Sequence, residues 1–334
     1  METASEKRKL QTVIPRERIL IFSGRSHPEL AQKIASELGL TLGRVKLSTF
    51  ANGEIYCRFE ESVRGADVFV VQTIYDKVND YLMELLVMID ALKRASAERI
   101  TAVIPHYGYA RQDKKTLSRE PITAKLIADL LTTAGVQRVV VMDLHAAQIQ
   151  GFFDCPVDHL TALPVILNYF KEKFGDELKN WVVCSPDVGR VKMAKKAADI
   201  LGADLAVLHK SRPEHNVARI AEVVGDVKDK NVLIIDDMID TGGTIVSGVE
   251  ALKKSGAKKV YVASTHGLFS GPAKERLVNA DIEEVVVTDT VPFYEKMTVE
   301  KVTVVSVASI FAQTLKNIHE DVSVSDLFQG LDHA

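Results

Sequence analysis

Short runs rich in Val and Ile recur along the chain, and between them lie stretches in which apolar residues return every three or four positions. The runs at residues 18–22, 66–72, 100–104, 138–142, 181–185, 231–235, 259–264 and 284–288 predict strands, and the periodic stretches at 28–38, 81–94, 123–134 and 243–255 predict helices. Strands that are apolar throughout, separated by amphipathic helices, are the pattern of parallel sheets covered on both faces. The fold class expected is therefore α/β, with mostly parallel sheets flanked by helices.

The pattern also repeats. Ala91-Leu92-Lys93-Arg94 leads into the strand at 100–104 as Ala251-Leu252-Lys253-Lys254 leads into the strand at 259–264, so two copies of one βαβ unit are expected. Only the second copy carries two adjacent carboxylates and a Gly-Gly turn upstream of the match. Two similar domains follow, over residues 16–162 and 163–334, with residues 1–15 as a disordered extension.

Composition narrows the function. With 334 residues, 46% of them hydrophobic and 26% charged, the chain is long enough for two ordinary cores. A formal net charge of -3 offers no broad positive field for nucleic acid or acidic membrane, so small molecules are the expected partners. No apolar run is long enough to span a bilayer, and residues 1–17 are polar rather than signal-like, which predicts a cytoplasmic protein. Cys57, Cys155 and Cys184 are too scattered for a disulfide framework or a thiolate metal site and are expected as core thiols.

Four segments carry candidate chemistry. In V-L-I-I-D-D-M-I-D-T-G-G-T, from Val232, an apolar strand runs into two carboxylates and a turn that opens a helix. The amides of residues 240–244, the hydroxyls of Thr241 and Thr244 and the positive helix end form a nest for a phosphate dianion. Gly242 and Gly243 let backbone approach it without a Cβ, and Asp236 and Asp237 can accept hydrogen bonds from vicinal ribose hydroxyls. The loop is expected to grip the 5-phosphate of a phosphoribosyl compound, with Asp240 as its first residue.

Next, M-D-L-H-A-A-Q-I-Q-G-F-F-D begins at Met142. On an extended strand Asp143 and His145 would project to one side and could hold a divalent ion, Mg²⁺ being favoured by oxygen-rich partners; a structural hydrogen-bonded pair is the competing reading. Asp187, in S-P-D-V-G-R, is a further strand-end carboxylate suited to a second Mg²⁺ or to a ribose hydroxyl. In Y-A-R-Q-D-K-K, from Tyr109, Arg111 could pair bidentately with polyphosphate oxygens and Gln112 with a nucleotide edge. In H-K-S-R-P, from His209, Lys210 and Arg212 enter a polar loop after the strand at 206–208 and could close over transferring phosphates.

These four segments, together with F-A-N-G-E from Phe50 and E-S-V-R-G from Glu61, resemble the ribose-phosphate diphosphokinases in order and spacing over nearly the whole chain, from about Ile19 to Phe328. The resemblance implies two domains of the phosphoribosyltransferase type and transfer of the diphosphoryl group of MgATP to the anomeric hydroxyl of ribose 5-phosphate, giving phosphoribosyl diphosphate and AMP. By it, Phe50, Asn52, Gly53 and Glu54 serve the ATP site by reaching adenine from a neighbouring subunit, and Arg111 and Gln112 reach the nucleotide's ribose and phosphates. His145, with Asp143 near it, holds the MgATP metal, and Asp187 serves a Mg²⁺ associated with ribose 5-phosphate. Asp236 and residues 240–244 bind the sugar phosphate, while Lys210 and Arg212 stabilise the group in flight. Phosphate activation, ADP inhibition and a homohexamer built from dimers are implied as well.

No G-x-x-x-x-G-K-[ST] loop occurs, so ATP must be held in this other way. One departure stands out: where the family commonly has two glycines after S-P-D-x, Gly189 is followed by Arg190, which bears on the backbone around Asp187. A phosphoribosyltransferase would use the same sugar-phosphate loop, but F-A-N-G-E and the Arg111-Gln112 pair argue against it. A regulatory subunit without turnover is opposed by the presence of Lys210, Arg212 and His145. Residues 306–309 begin a helix, where capping is favoured over an anion site.

Overall fold

A computed structural model describes residues 18–211, 220–293 and 300–328. The extension expected over residues 1–15 and the lid residue Arg212 lie outside them. In order, the chain forms β1 (Arg18–Ser23), α1 (Pro28–Glu37), β2 (Val45–Thr49), β3 (Ile55–Phe59), β4 (Ala66–Val71), α2 (Val78–Arg94), β5 (Arg99–Ile104), α3 (Thr123–Ala134), β6 (Arg138–Met142), β7 (Val157–Leu160) and α4 (Leu163–Phe174). It continues with β8 (Val182–Ser185), α5 (Val191–Leu201), β9 (Asp204–Ser211), β10 (Ile220–Val224), β11 (Asn231–Ile239), α6 (Gly243–Lys254), β12 (Lys259–Gly267), α7 (Ala273–Asn279), β13 (Glu284–Thr288), β14 (Val302–Val305) and α8 (Ala308–His319).

The first sheet has the order β1-β4-β5-β6-β7 and is parallel throughout. The second has the order β10-β9-β8-β11-β12-β13-β14, in which only β10 runs antiparallel. All residues of β4 and of β13 are buried, which is why both strands read as Val-rich runs, broken only by Asp67 in β4 and bounded by Glu284 and Thr288 in β13. The repeat legible at 91–94 and 251–254 falls at the ends of α2 and α6. Each of these helices crosses between adjacent central parallel strands, β4 to β5 and β11 to β12. The correspondence extends further, because β8, β11, β12, β13 and β14 take the same mutual order as β1, β4, β5, β6 and β7.

The last helix, α8, crosses to the other half. α4 lies on β12, β13 and β14 beside α5, whereas α8 packs on α1. One core cluster consequently runs from Ile21, Leu30 and Phe69 through Phe170 and Trp181 to Phe311 and Leu315. Trp181 stacks on Tyr261 with ring centroids 4.6 Å apart, closing its aromatic centre. The dock of α8 ends in a buried charge group: the fully buried Asp67 receives the Arg99 guanidinium and His319 Nδ1, and Arg99 Nη2 also donates to Ile318 O at 3.0 Å. Removing one partner strands a buried carboxylate. Arg99→Ala should therefore cost about 3 kcal/mol, read as a shift in the urea midpoint at constant slope. A change below about 0.5 kcal/mol would show that the group is solvated and idle.

Capping is the observed role at the start of α8. Ser306 Oγ donates to Asp289 Oδ2 at 2.7 Å, Val307 N donates to Asp289 Oδ1 at 2.8 Å, and Ala308 N donates to Ser306 Oγ at 3.3 Å. Among the described residues no helix is long and apolar enough to cross a membrane. The three cysteines are free thiols, and burial pushes Cys57 up to about 11 and Cys184 up to about 12, which suits packing rather than redox chemistry.

Candidate active site

The acid pair belongs to β11 itself, which runs on to Ile239 instead of ending at 235. Asp236 pairs with Ser264 and Met238 with His266 in the ladder to β12. The strand then turns through Asp240, Thr241 and Gly242 into α6. Gly242 is the helix N-cap at φ 73°, a left-handed conformation that favours glycine. Gly243 has no such constraint: a Cβ there would meet Arg276 Nη1 at 3.3 Å, the movable end of a side chain. Arg276, from α7, donates to Thr241 O at 2.9 Å, and Ser270 N donates to Asp240 O at 2.9 Å, so a second segment braces the turn. A pocket of about 250 Å³ opens over it, lined by Asp187, Asp236, Asp237 and residues 239–245, with Arg111, His145 and Arg190.

Three of those lining residues arrive from outside the loop. Arg111 follows β5 and its Nη1 meets Asp240 Oδ2 at 2.5 Å. His145 follows β6 and its Nδ1 lies 2.8 Å from Asp237 Oδ2. Arg190 precedes α5 and its Nη2 lies 2.5 Å from the same oxygen. Arg190 Nη2 also lies 3.0 Å from His145 Nδ1, so this nitrogen stands between a guanidinium and a carboxylate; in the tautomer that donates Nδ1–H to Asp237, Nε2 carries the lone pair that a metal ion would take. Burial and the adjacent Asp237 charge hold Asp236 well above the usual carboxylate range. Burial would lift Asp237 too, but the His145 hydrogen bond and the Arg190 charge outweigh it and hold it at about 2.

Asp143 departs from expectation. β6 stops at Met142 and Asp143 sits at φ 35°, so the two-residue alternation of a strand does not apply, although Asp143 and His145 line one cavity. Its Oδ2 accepts from Ala162 N at 2.9 Å and from Thr265 Oγ1 at 2.5 Å, which makes it a brace between the two halves. Asp187 Oδ1 accepts from Gly189 N at 2.8 Å, leaving its other oxygen open. The backbone at Arg190, with φ −104° and ψ 6°, is open to any residue, so replacing a second glycine there distorts nothing.

Beneath the site, two imidazoles meet where the halves join. His106 and His266 lie with ring centroids 4.8 Å apart. His106 Nδ1 donates to Ile74 O at 2.9 Å, and His266 Nε2 faces Met142 O and Asp143 O at 3.2 Å. Burial lowers them from 6.5 to about 3 and about 4, so both are neutral. Unfolded, each takes a proton below about pH 6.5, whereas folded it does not, so stability is full above that pH and falls as pH drops. Between pH 6.5 and 5 the expected loss is about 2 kcal/mol for each, measured by urea unfolding at both values. Asp237 contributes nothing in this window, since its low value matters only below its unfolded range near pH 3.8. Asp236, held high, adds stability as pH falls, so the loss is read in an Asp236→Asn background, where a flat profile would mean that the rings are protonated in place.

The remaining segments are placed as follows. Phe50, Asn52, Gly53 and Glu54 form the tip of the hairpin β2–β3, where Phe50 N donates to Glu54 O at 2.8 Å, Gly53 N donates to Phe50 O at 2.8 Å, and Gly53 sits at φ 94°. Phe50 is 53% exposed, and none of the cavities meeting at Arg111 has a residue of 50–54 in its wall. Gln112 accepts from Thr123 Oγ1 at 2.5 Å and lines a cavity of about 850 Å³ with Tyr75, His106, Tyr109, Phe269 and Lys274. A third cavity of about 500 Å³ is lined by Lys114, Thr116, Gln148 and Lys192 among others. It shares Arg111, His145, Arg190 and Asp237 with the loop pocket. Lys210 lies within β9, its backbone paired with Ala221 of β10, so the strand reaches farther than the expected 206–208.

Sequence reasoning passed over Arg190 as a site residue, although its position three residues after Asp187 was the available signal. It also missed Arg276 and Thr265, which no local pattern marks.

The chain matches two family models, the N-terminal domain of ribose phosphate pyrophosphokinase over residues 19–135 and the phosphoribosyl synthetase-associated domain over residues 210–329. It is 54% identical over 311 residues to a ribose-phosphate pyrophosphokinase of Clostridium perfringens, covering 93% of this chain and 98% of that one. It is 53% identical over 312 residues to that of Fusobacterium nucleatum, with the same coverage. A crystal structure of phosphoribosylpyrophosphate synthetase from Mycobacterium smegmatis superposes with a TM-score of 0.86 at 50% identity, covering 91% of this chain and 100% of that one.

Proposed function

Since the chain belongs to the ribose-phosphate pyrophosphokinase family, whose members make phosphoribosyl diphosphate from ATP and ribose 5-phosphate, we propose how its own residues carry out that reaction. The 5-phosphate rests on the amides of residues 240–244 and the hydroxyls of Thr241 and Thr244, and Asp236 and Asp237 receive the ribose hydroxyls. Arg111 and Gln112 take the nucleotide, with its polyphosphate directed at the four residues common to both cavities. The anomeric oxygen attacks the β-phosphorus as its proton passes to solvent. The bond from that phosphorus to the α,β-bridging oxygen breaks, and AMP leaves with the electron pair. In-line transfer of this kind needs alignment and cations more than a covalent nucleophile. Lys210 and Arg212 supply cations from the lid.

A Mg²⁺ ion fits the donor set. His145 Nε2 and the open oxygen of Asp187 are available, and among the described residues no group of three or more His, Cys, Asp or Glu could hold an ion alone. Substrate phosphates would complete the shell, as is usual for Mg²⁺, and the bound ion would neutralise charge across the transferred group. Asp143 supports His145 from beneath through its hold on Ala162 and Thr265.

The observation that carries this reading is the shared wall of Arg111, His145, Arg190 and Asp237 between a phosphate-loop pocket and a basic cavity. Incubating the protein with ATP, Mg²⁺ and ribose 5-phosphate should release AMP in step with sugar consumption. ADP as the nucleotide product would overturn it. Gly242→Val should weaken ribose 5-phosphate binding by about 10-fold or more and ATP binding far less, because the left-handed N-cap of the phosphate turn is lost. Calorimetric titrations of both ligands check this, and the reverse order would assign the loop to ATP.

We propose further that the chain is a cytoplasmic homo-oligomer, a homohexamer built from dimers, regulated by phosphate and ADP. Ile122, Leu126 and Leu130 stand exposed at helical spacing in and just before α3, with exposed Leu117 nearby, a face suited to cover by another copy.

A further inference from the structure

Arg190 stands where a cation matters most. Its side chain is only 19% exposed and spans the two halves of the molecule. Nη2 donates to His145 O at 2.8 Å and lies 3.0 Å from His145 Nδ1 and 2.5 Å from Asp237 Oδ2, and Nε lies 3.8 Å from Asp236 Oδ1. The acid pair therefore has a guanidinium resting across it. The remaining contacts are local. Asp236 Oδ1 accepts from Asp237 N at 2.9 Å, and Asp237 Oδ2 accepts from His145 Nδ1 at 2.8 Å.

A buried pair of carboxylates beside a phosphate-binding turn is unfavourable unless positive charge sits next to it. A divalent ion is one source of that charge, and it comes and goes with substrate. The chain's own guanidinium is another, and its planar fork reaches both carboxylates and a carbonyl at once, which an ammonium cannot do.

We propose that Arg190 is a positioning residue that serves as the resident counter-cation of Asp236 and Asp237. It keeps the acid pair shaped for the sugar hydroxyls, so that ribose 5-phosphate binds this site without a divalent ion. Metal is then needed for the nucleotide and for transfer, not for seating the sugar. The inference rests on the reading above that these two carboxylates receive ribose 5-phosphate.

The test is calorimetric titration of ribose 5-phosphate into the full chain without nucleotide, once in EDTA and once in excess Mg²⁺. Wild type should bind with the same affinity in both, within about twofold. Arg190→Gln should bind about 10-fold or more weakly in EDTA, as expected for loss of charge-assisted bonds to a buried carboxylate, and recover in Mg²⁺ as the ion takes the vacated place. Arg190→Lys should recover part of the EDTA affinity, since charge is restored without the fork.

Wild-type binding that collapses in EDTA overturns the proposal. So does Arg190→Gln binding that is unchanged, or weakened equally in both buffers as a merely structural role would give. If Arg190→Gln does not fold, wild type and Arg190→Lys still decide, because the lysine variant must keep measurable metal-free binding. Formation of AMP by the wild-type protein is scored separately. Its absence sinks the reaction, whereas metal-dependent sugar binding in an active enzyme sinks only the role of Arg190.

Discussion

Lys210→Ala is expected to lower turnover by about 100-fold or more while leaving ribose 5-phosphate binding largely intact. The sugar phosphate is assigned to the turn between β11 and α6, which is braced by hydrogen bonds from Arg276 and Ser270, neither of which belongs to β9. Lys210 lies one residue before the end of β9, whose buried Ala206 and Leu208 anchor the strand beside β8. Its charge is thus mounted on an element separate from the one that binds the ground state. A cation that meets only the migrating diphosphoryl group acts on the transition state, so kcat and kcat/KM should fall together and the calorimetric affinity for ribose 5-phosphate should hold. Near-normal turnover of the purified variant would sink the assignment.

Much of the fold was legible in the sequence because its central strands are buried on both faces. Ala66–Val71 and Glu284–Thr288 are buried on both faces, with Asp67, Glu284 and Thr288 as their polar residues. The hairpin β2–β3 escaped for the opposite reason. It forms a two-stranded sheet of its own, its residues are half-buried or exposed, and neither strand makes an apolar run. β11 was read too short because Asp236 and Asp237 interrupt the apolar run, although the ladder to β12 continues through them to Ile239. The crossing of α8 left no local mark, since an amphipathic helix records that it is covered but not by what.

The site was legible where chemistry and backbone are contiguous, as in residues 236–244, and less so where partners come from both halves. Asp143 and His145 have the spacing of strand neighbours, yet one residue at positive φ turns the carboxylate to Thr265 instead. Gly242 and Gly243 look equivalent, but only Gly242 needs the freedom of glycine. Arg190 resembled a disturbance of the Asp187 turn. It became a site residue only when folding set β6, β11 and the start of α5 side by side, bringing His145 and the acid pair to its guanidinium.

The hairpin tip leads to the second large expected effect. Phe50, Asn52 and Glu54 sit on an exposed turn that walls none of the cavities around Arg111 in its own chain. An adenine-binding role for them therefore requires a second copy, with the site straddling a two-fold interface. A chain with Lys210→Ala and a chain with both Phe50→Ala and Glu54→Ala should each be inactive alone, because every site in either homodimer lacks an essential part. Mixed dimers differ. One of their sites collects both defects, and the other takes its lid from the second chain and its adenine segment from the first, and is intact. With random pairing roughly half the dimers are mixed and each has one working site, so co-expression should recover roughly a quarter of wild-type activity. The two variants would carry different affinity tags, be purified through both, and be assayed for AMP formation. Doubly tagged protein that stays inactive would show that each ATP site is built within one chain, and the hairpin tip would then have no part in binding adenine.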